Sequence, residues 1–223
     1  GIPPFRGPGG LWTKYDPTFI ELEYFHAHPK QSWETIVEVF FEFMGEAKPN
    51  AAHVALADLE AMGIIRSVVT QNIDNLHQEA GSGIVYEFHG NTRQLICTQC
   101  EAVTTPKDID VDALPPKCDS CAGLLKPDFT FFGEMIDPNV HAAAFSAAHN
   151  SDVCLVVGTT GEVMPAGLIP SVVKERGGKV VEVNLEPSNL TDGVTDVFLQ
   201  GKATETMMRL LDAVKNERDC GQL

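Results

Sequence analysis

The chain has 223 residues, 43% of them hydrophobic, which suits one α/β domain with a small appendage and is tight for two independent ones. Sixteen Lys and Arg against 31 Asp and Glu leave a net charge of −15, a balance that repels phosphate backbones, argues against direct nucleic-acid binding and favours cationic partners such as Lys-rich protein tails. The longest purely apolar run is Val153 to Val157, far short of the ~18 residues that a membrane span needs.

Residues 1–10 hold three Pro and four Gly and read as a loop. Between residues 31 and 44 the apolar positions Trp33, Ile36, Val37, Phe40, Phe41 and Met44 form one broad stripe at helical spacing. Asn50 can cap a second helix running to Met62, with Gly63 placed to end it. An apolar strand is expected at residues 64–70. The second half alternates: a strand at 153–158, a helix at about 165–176, strands at 179–184 and 197–200, and a helix after Gly201. This pattern predicts an α/β fold with a doubly wound parallel, Rossmann-like sheet, whose ligands would sit beyond the carboxyl ends of the strands. Those ends are polar here: Thr70-Gln71-Asn72-Ile73-Asp74, Gly158-Thr159-Thr160 and Asn184-Leu185-Glu186.

Residues 91–126 interrupt the alternation and have too few apolar side chains for a core of their own. Cys97-x-x-Cys100, seventeen further residues and Cys118-x-x-Cys121 match two knuckles closing one tetrahedral Zn²⁺ site. Four thiolates leave no open position, so the metal would be structural and would supply folding free energy to the insert. Two disulfides, a redox dithiol or iron-sulfur ligation are the competing readings. Paired knuckles also point to a reducing, intracellular and most simply cytoplasmic setting. Cys154, inside an apolar run, reads as a small buried hydrophobe, whereas Cys220 lies in a polar tail.

Gly1-Ile2-Pro3-Pro4-Phe5-Arg6, Thr70-Gln71-Asn72-Ile73-Asp74-Asn75-Leu76-His77, Phe88-His89-Gly90, the cysteine pairs, Lys126-Pro127-Asp128 with Phe132-Gly133-Glu134, Gly158-Thr159-Thr160 and Asn184-Leu185-Glu186-Pro187 follow one another in this order. Together they resemble the sirtuin family over essentially the whole chain. The resemblance implies an NAD-dependent protein-lysine deacylase acting on acyl-lysine proteins or peptides, with one catalytic domain over 1–223. Within it, a Rossmann-like part would take 1–12, 51–90 and 127–223, a helical insert 13–50 and a zinc module 91–126.

In that family the acyl-lysine carbonyl oxygen attacks the nicotinamide ribose at C1′, nicotinamide leaves, and a histidine then helps the ribose hydroxyls attack the resulting imidate. The resemblance gives this general-base role to His89, whose imidazole titrates near ~6.5 when unperturbed; a lone histidine is otherwise more often structural. Asn72, Ile73 and Asp74 match the nicotinamide pocket, with Gln71 toward the ribose, although Asp74 could simply cap a short helix at 75–80. Phe5 and Arg6 match a flexible cofactor loop that shields the reacting carbon from water. Gly158, Thr159, Thr160, Asn184, Leu185, Glu186 and Ala203 match the remaining dinucleotide contacts. The substrate peptide would pair as a strand between 132–134 and 161–165, with Phe129, Phe132, Gly133, Glu134 and Val163 among its contacts. Two further implications concern specificity and completeness. Val37 and Phe40 stand where succinyl-removing relatives carry a Tyr and Arg that hold an acid, so acetyl or a longer apolar acyl group is favoured. Sirtuins ordinarily open with a buried strand and a Gly-Ala-Gly-x-Ser loop at a helix N-terminus; this sequence begins after them, and Gly7-Pro8-Gly9-Gly10 lacks the spacing to replace them. Mono-ADP-ribosyl transfer and a non-catalytic zinc-containing binding module are the alternative functions. Oligomeric state stays open at this level.

Overall fold

Short apolar runs bounded by glycine, proline and polar residues become eight strands in the computed structural model, which describes residues 2, 5, 9–42, 47–106 and 109–220. In chain order these are β1 (Val68–Thr70), β2 (Val85–Glu87), β3 (Gly90–Cys97), β4 (Val103–Thr104), β5 (Leu125–Phe129), β6 (Val153–Val157), β7 (Lys179–Asn184) and β8 (Val197–Gln200). The chain divides into two units, the first comprising Gly1–Lys48, Asn72–Asn75 and His89–Ile136, the second Pro49–Gln71, Leu76–Phe88 and Asp137–Leu223.

The second unit holds the parallel strands. β1 pairs with β2, and β6, β7 and β8 form a three-stranded parallel sheet in that order. Alternation along the strands splits the core by face. Leu155, Val157, Val183 and Leu199 join Ala52, Ala55, Leu59, Met207 and Leu211 from the helices Ala51–Ala61 and Ala203–Asp219. On the opposite face Val156 and Val180 pack with Leu190 and partly buried Cys154. Apolar cover on both faces is what a parallel sheet requires. Burial holds the Cys154 thiol up at about 11, so it is an inert core group rather than a nucleophile.

The expected punctuation of the helix Ala51–Ala61 is present. The Asn50 side chain accepts from the amides of Ala52 and His53, and Gly63 adopts φ 77° beyond the C-terminus. Three segments differ from expectation. The strand expected over 64–70 shrinks to Val68–Thr70, because the amides of Ile64 and Ile65 are spent on the Leu59 carbonyl at the helix end. The helix expected at 165–176 opens with a 3₁₀ turn at Ala166–Leu168 before Ile169–Glu175. The helix Pro138–His149 lies outside the periodic segments, because its alanine-rich run carries little amphipathic signal.

In the first unit, β3 pairs antiparallel with β4 and with β5. The apolar stripe of residues 31–44 begins as the α-helix Pro29–Ile36 but continues as a π-helical turn at Val37–Glu42. This wider winding shifts the phase of the stripe: Val39, off the 3.6-residue pattern, is as deeply buried as Trp33, Ile36 and Phe40. Met44 lies outside the described residues. Trp33 donates its Nε1–H to the Leu125 carbonyl at 2.9 Å, and Leu95, Cys97, Cys118 and Leu125 share one core with Trp33, Ile36, Val37 and Phe40. The cysteine module thus borrows its apolar core from the helical insert.

Candidate active site and metal centre

The four knuckle cysteines converge. Their sulfurs all lie within 4.8 Å of one another, with Cys97–Cys121 at 3.5 Å, Cys100–Cys118 at 3.7 Å and Cys100–Cys121 at 3.4 Å. A disulfide needs ~2.05 Å, whereas the edge of a zinc–thiolate tetrahedron with ~2.3 Å bonds is about 3.8 Å, so the set fits Zn²⁺ and not two bridges. Each knuckle donates backbone amides to sulfur, as Gln99 N to Cys97 Sγ and Gly123 N to Cys121 Sγ, both at 3.4 Å. The amides of Cys100 and Gln99 lower the Cys97 thiol to about 6, and those of Cys121 and Ser120 lower Cys118. At Cys121 the Gly123 amide pulls downward, but the sulfurs of Cys100 and Cys97 outweigh it and push the thiol up to about 12. A side chain at Gly123 would meet Cys97 Sγ at 2.9 Å, so only glycine lets the second knuckle close.

His89 is half-buried and directly precedes β3. Its carbonyl accepts from the Thr130 amide at 2.8 Å, tying it to the segment after β5. Gly90 explains the following glycine: φ is 73°, and a Cβ there would lie 2.2 Å from the Asp128 carbonyl oxygen. The histidine therefore sits at an irregularity in the β3–β5 register that no side chain at position 90 permits. Gly90→Ala is expected to cost roughly 2–4 kcal/mol, read as a fall in denaturation midpoint, and a wild-type midpoint would contradict this close approach.

Thr92, three residues beyond His89, holds the Ile73 carbonyl through its amide at 3.2 Å and its hydroxyl at 3.1 Å. Asn72, Ile73 and Asp74 are thereby fixed in the same unit as His89; Ile73 is buried, Asp74 half-buried and Asn72 exposed. Phe5 packs on Trp12 with ring centroids 5.3 Å apart, and its carbonyl accepts from the Trp12 amide. Arg6 lies outside the described residues.

The expected substrate segment is built around a buried cation. Lys126 is only 6% exposed, and its ammonium donates to the carbonyls of Pro127 at 3.0 Å and Phe129 at 2.9 Å, pairs with Glu134 at 3.2 Å and stands 4.6 Å from the centre of the Phe131 ring. Burial lowers its pKa against the upward pull of Glu134. Glu134 also accepts from the Phe131 amide at 2.7 Å, closing the turn. Phe132 bridges in parallel to Glu21, using its amide toward Ile20 and its carbonyl toward Leu22, and the residue is 44% exposed. Phe129 is buried against Phe40, with centroids 5.0 Å apart. Val163 lies in the second unit.

The second unit gathers the other strand-end residues at the carboxyl ends of β6, β7 and β8. Asn184 donates from Nδ2 to the Thr159 carbonyl at 2.7 Å, Thr159 Oγ1 accepts from Gln71 Nε2 at 3.3 Å, and the Thr160 carbonyl accepts from the Asn189 amide. Gly158, at φ 66°, has nothing within 4 Å of a Cβ position, and Thr160, Leu185 and Glu186 are exposed. Ala203 opens the C-terminal helix. The hydroxyls and amide gathered at these strand ends can donate to and accept from the hydroxyls of a sugar.

Among the described residues two charges are buried, Lys126, which its motif names without revealing its burial, and Glu182, which no motif names. For Glu182 the signal is a charge set between valines within a strand, Lys179–Asn184. Glu182 is fully buried in β7; burial pushes its carboxyl up, but hydrogen bonds from Ser188, Thr195, Thr191 and Asn184 outweigh this and hold it below the usual range.

Parallel strands with polar carboxyl ends in one unit, and in the other a four-thiolate knuckle and a glycine-anchored histidine at opposite ends of β3, define a Rossmann-type α/β protein with a structural metal module. The Sir2 family profile matches residues 1–165. An NAD-dependent protein deacylase 2 of Pyrobaculum aerophilum is 46% identical over 96% of this chain and 86% of its own length, and an NAD-dependent protein deacylase of Pyrococcus furiosus is 46% identical over 96% and 88%. A mutant Sir2 homologue solved in complex with ADP-ribose matches at a TM-score of 0.92 and 37% identity, covering 98% of this chain and 88% of the homologue. The chain belongs to the Sir2 family. Among the described residues no helix is long and apolar enough to cross a membrane.

Proposed function

We propose that this chain removes acetyl or longer apolar acyl groups from protein lysine, with NAD as co-substrate, and releases nicotinamide and O-acyl-ADP-ribose. The observation that carries the reading is the gathering of three expected groups in one unit: His89, the Asn72-Ile73-Asp74 segment held by Thr92, and the Phe132-Gly133-Glu134 turn tied to His89 through Thr130. The named activities of the archaeal relatives agree with it. NAD supplies the electrophilic ribose carbon and the hydroxyls that accept the acyl group.

The chain's own residues divide the remaining tasks. His89, half-buried, takes a proton from a ribose hydroxyl. Asn72 and Asp74 recognise the carboxamide, with Gln71 toward the ribose. Phe5 and Arg6 shield the reacting carbon from water. Gly158, Thr159, Thr160, Asn184, Leu185, Glu186 and Ala203 hold the adenosine end. The peptide adds as a strand: Phe131 and Phe132 have spent their main-chain groups inside the unit, so Gly133, which a side chain would not crowd, offers the pairing edge. Zn²⁺ on Cys97, Cys100, Cys118 and Cys121 keeps the module folded. The whole chain, 1–223, works as one catalytic domain, and the four-thiolate set favours a reducing intracellular compartment, the cytoplasm.

Acyl choice follows from the core. Val37 and Phe40 are 8% and 2% exposed, and Phe40 packs against Phe129, so the two positions where succinyl-removing relatives hold an acid are apolar and buried. An unpaired carboxylate in such surroundings costs several kcal/mol, so acetyl-lysine turnover is expected to exceed succinyl-lysine turnover on the same peptide by about 100-fold or more. Mass spectrometry of matched peptides incubated with protein and NAD tests both points. Equal turnover refutes the acyl assignment, a protein-bound ADP-ribose adduct replaces deacylation by transfer, and no NAD-dependent product removes the enzyme reading.

A further inference from the structure

Glu182 occupies the middle of β7, between Val181 and Val183, and is fully buried. A carboxylate here is costly where valine would serve the sheet, and a buried charge is retained without penalty to folding only if its surroundings are arranged for it. They are arranged asymmetrically. Oε2 accepts from Thr191 Oγ1 at 2.9 Å and Thr195 Oγ1 at 2.7 Å, while Oε1 accepts from Asn184 Nδ2 at 3.4 Å. Thr191 Oγ1 in turn accepts from the Ser188 amide at 2.8 Å. One oxygen therefore holds the loop that leaves the carboxyl end of β7, and the other holds the amide at that end.

The same Asn184 amide donates to the Thr159 carbonyl, and Thr159 Oγ1 accepts from Gln71 and from the Gly161 amide at 3.3 Å. A continuous path of hydrogen bonds thus runs from a buried carboxylate to the carboxyl ends of β1, β6 and β7. The loop itself packs against this path: Leu190 fills the space beside Gly161, where a Cβ would lie 2.8 Å from Leu190 Cγ. All the hydroxyls and the amide present hydrogens to the carboxylate, so its acceptor-only chemistry fixes which way each donor points.

We propose that Glu182 is a positioning residue that orients Asn184 and the 188–195 loop, and so shapes the subsite for the adenosine sugar. This rests on the deacylase reading above. Glutamine at this position keeps the shape but brings an NH₂ group, which must face either the Asn184 amide or the two threonine hydroxyls, and one set of donors loses its acceptor.

Calorimetric titration with ADP-ribose, together with steady-state kinetics varying NAD and acetylated peptide separately, tests the proposal on the full chain. In Glu182→Gln the Kd for ADP-ribose and the KM for NAD are expected to rise about tenfold together, while peptide KM and kcat at saturating NAD stay within about twofold. Thr195→Val, which removes one loop donor without touching Asn184, should move the same two constants in the same direction by less, and it carries the test if Glu182→Gln does not fold. Unchanged ADP-ribose affinity in the folded variants, or a loss shared equally by peptide KM and kcat, overturns the positioning role. A wild-type chain that does not bind ADP-ribose overturns instead the deacylase reading on which it rests.

Discussion

His89→Ala is expected to lower NAD-dependent deacylation by about 10²–10⁴-fold at neutral pH, the range a positioned proton acceptor contributes. Two structural facts separate this from general damage. The His89 carbonyl accepts from the Thr130 amide and the left-handed Gly90 sets the backbone bend, and both main-chain features survive removal of the imidazole. The ring itself is half-buried, so its removal leaves no large cavity. The variant should therefore keep the wild-type denaturation midpoint within a few degrees and still bind acetylated peptide. Turnover equal to wild type would take the imidazole out of the chemistry, and a collapse of the midpoint would make it structural.

The second large effect concerns the metal. Elemental analysis should find one zinc per chain, and Cys97→Ala or prolonged chelation should release it and lower the midpoint by roughly 10 °C or more. The fall should be large because Cys97 and Cys118 are themselves core residues, packed with Trp33, Ile36 and Leu125, so losing the ion loosens the helical insert as well as the knuckles. A chain that is metal-free as purified and equally stable would refute the four-thiolate centre.

What the sequence made legible follows from where information is local. The helix Ala51–Ala61 was readable because its start and stop are set by single residues, the Asn50 cap and the left-handed Gly63. The metal centre was readable because cysteine pairs at knuckle spacing have few other uses. The π-helical turn at Val37–Glu42 was not, since its winding is chosen by what it packs against, and a 3.6-residue count leaves Val39 outside when it belongs inside. The start of the helix Pro138–His149 did carry a signal, Asp137 accepting from the Asn139 amide ahead of Pro138, although the alanine run behind it offers no periodicity. The burial of Lys126 and of Glu182 was hidden for a different reason. A buried charge is explained only by partners that fold back onto it, and the loop hydroxyls around Glu182 look, in the linear sequence, like ordinary turn formers.

The indole–carbonyl bond from Trp33 to Leu125 also limits how this scaffold can be re-engineered. Grafting the insert helix from a relative to alter acyl preference would import a side-chain surface fitted to another protein's cysteine lobe. The two pieces are therefore best exchanged as a matched pair, and a chimera that swaps one alone inherits a mismatch at its own hinge of support.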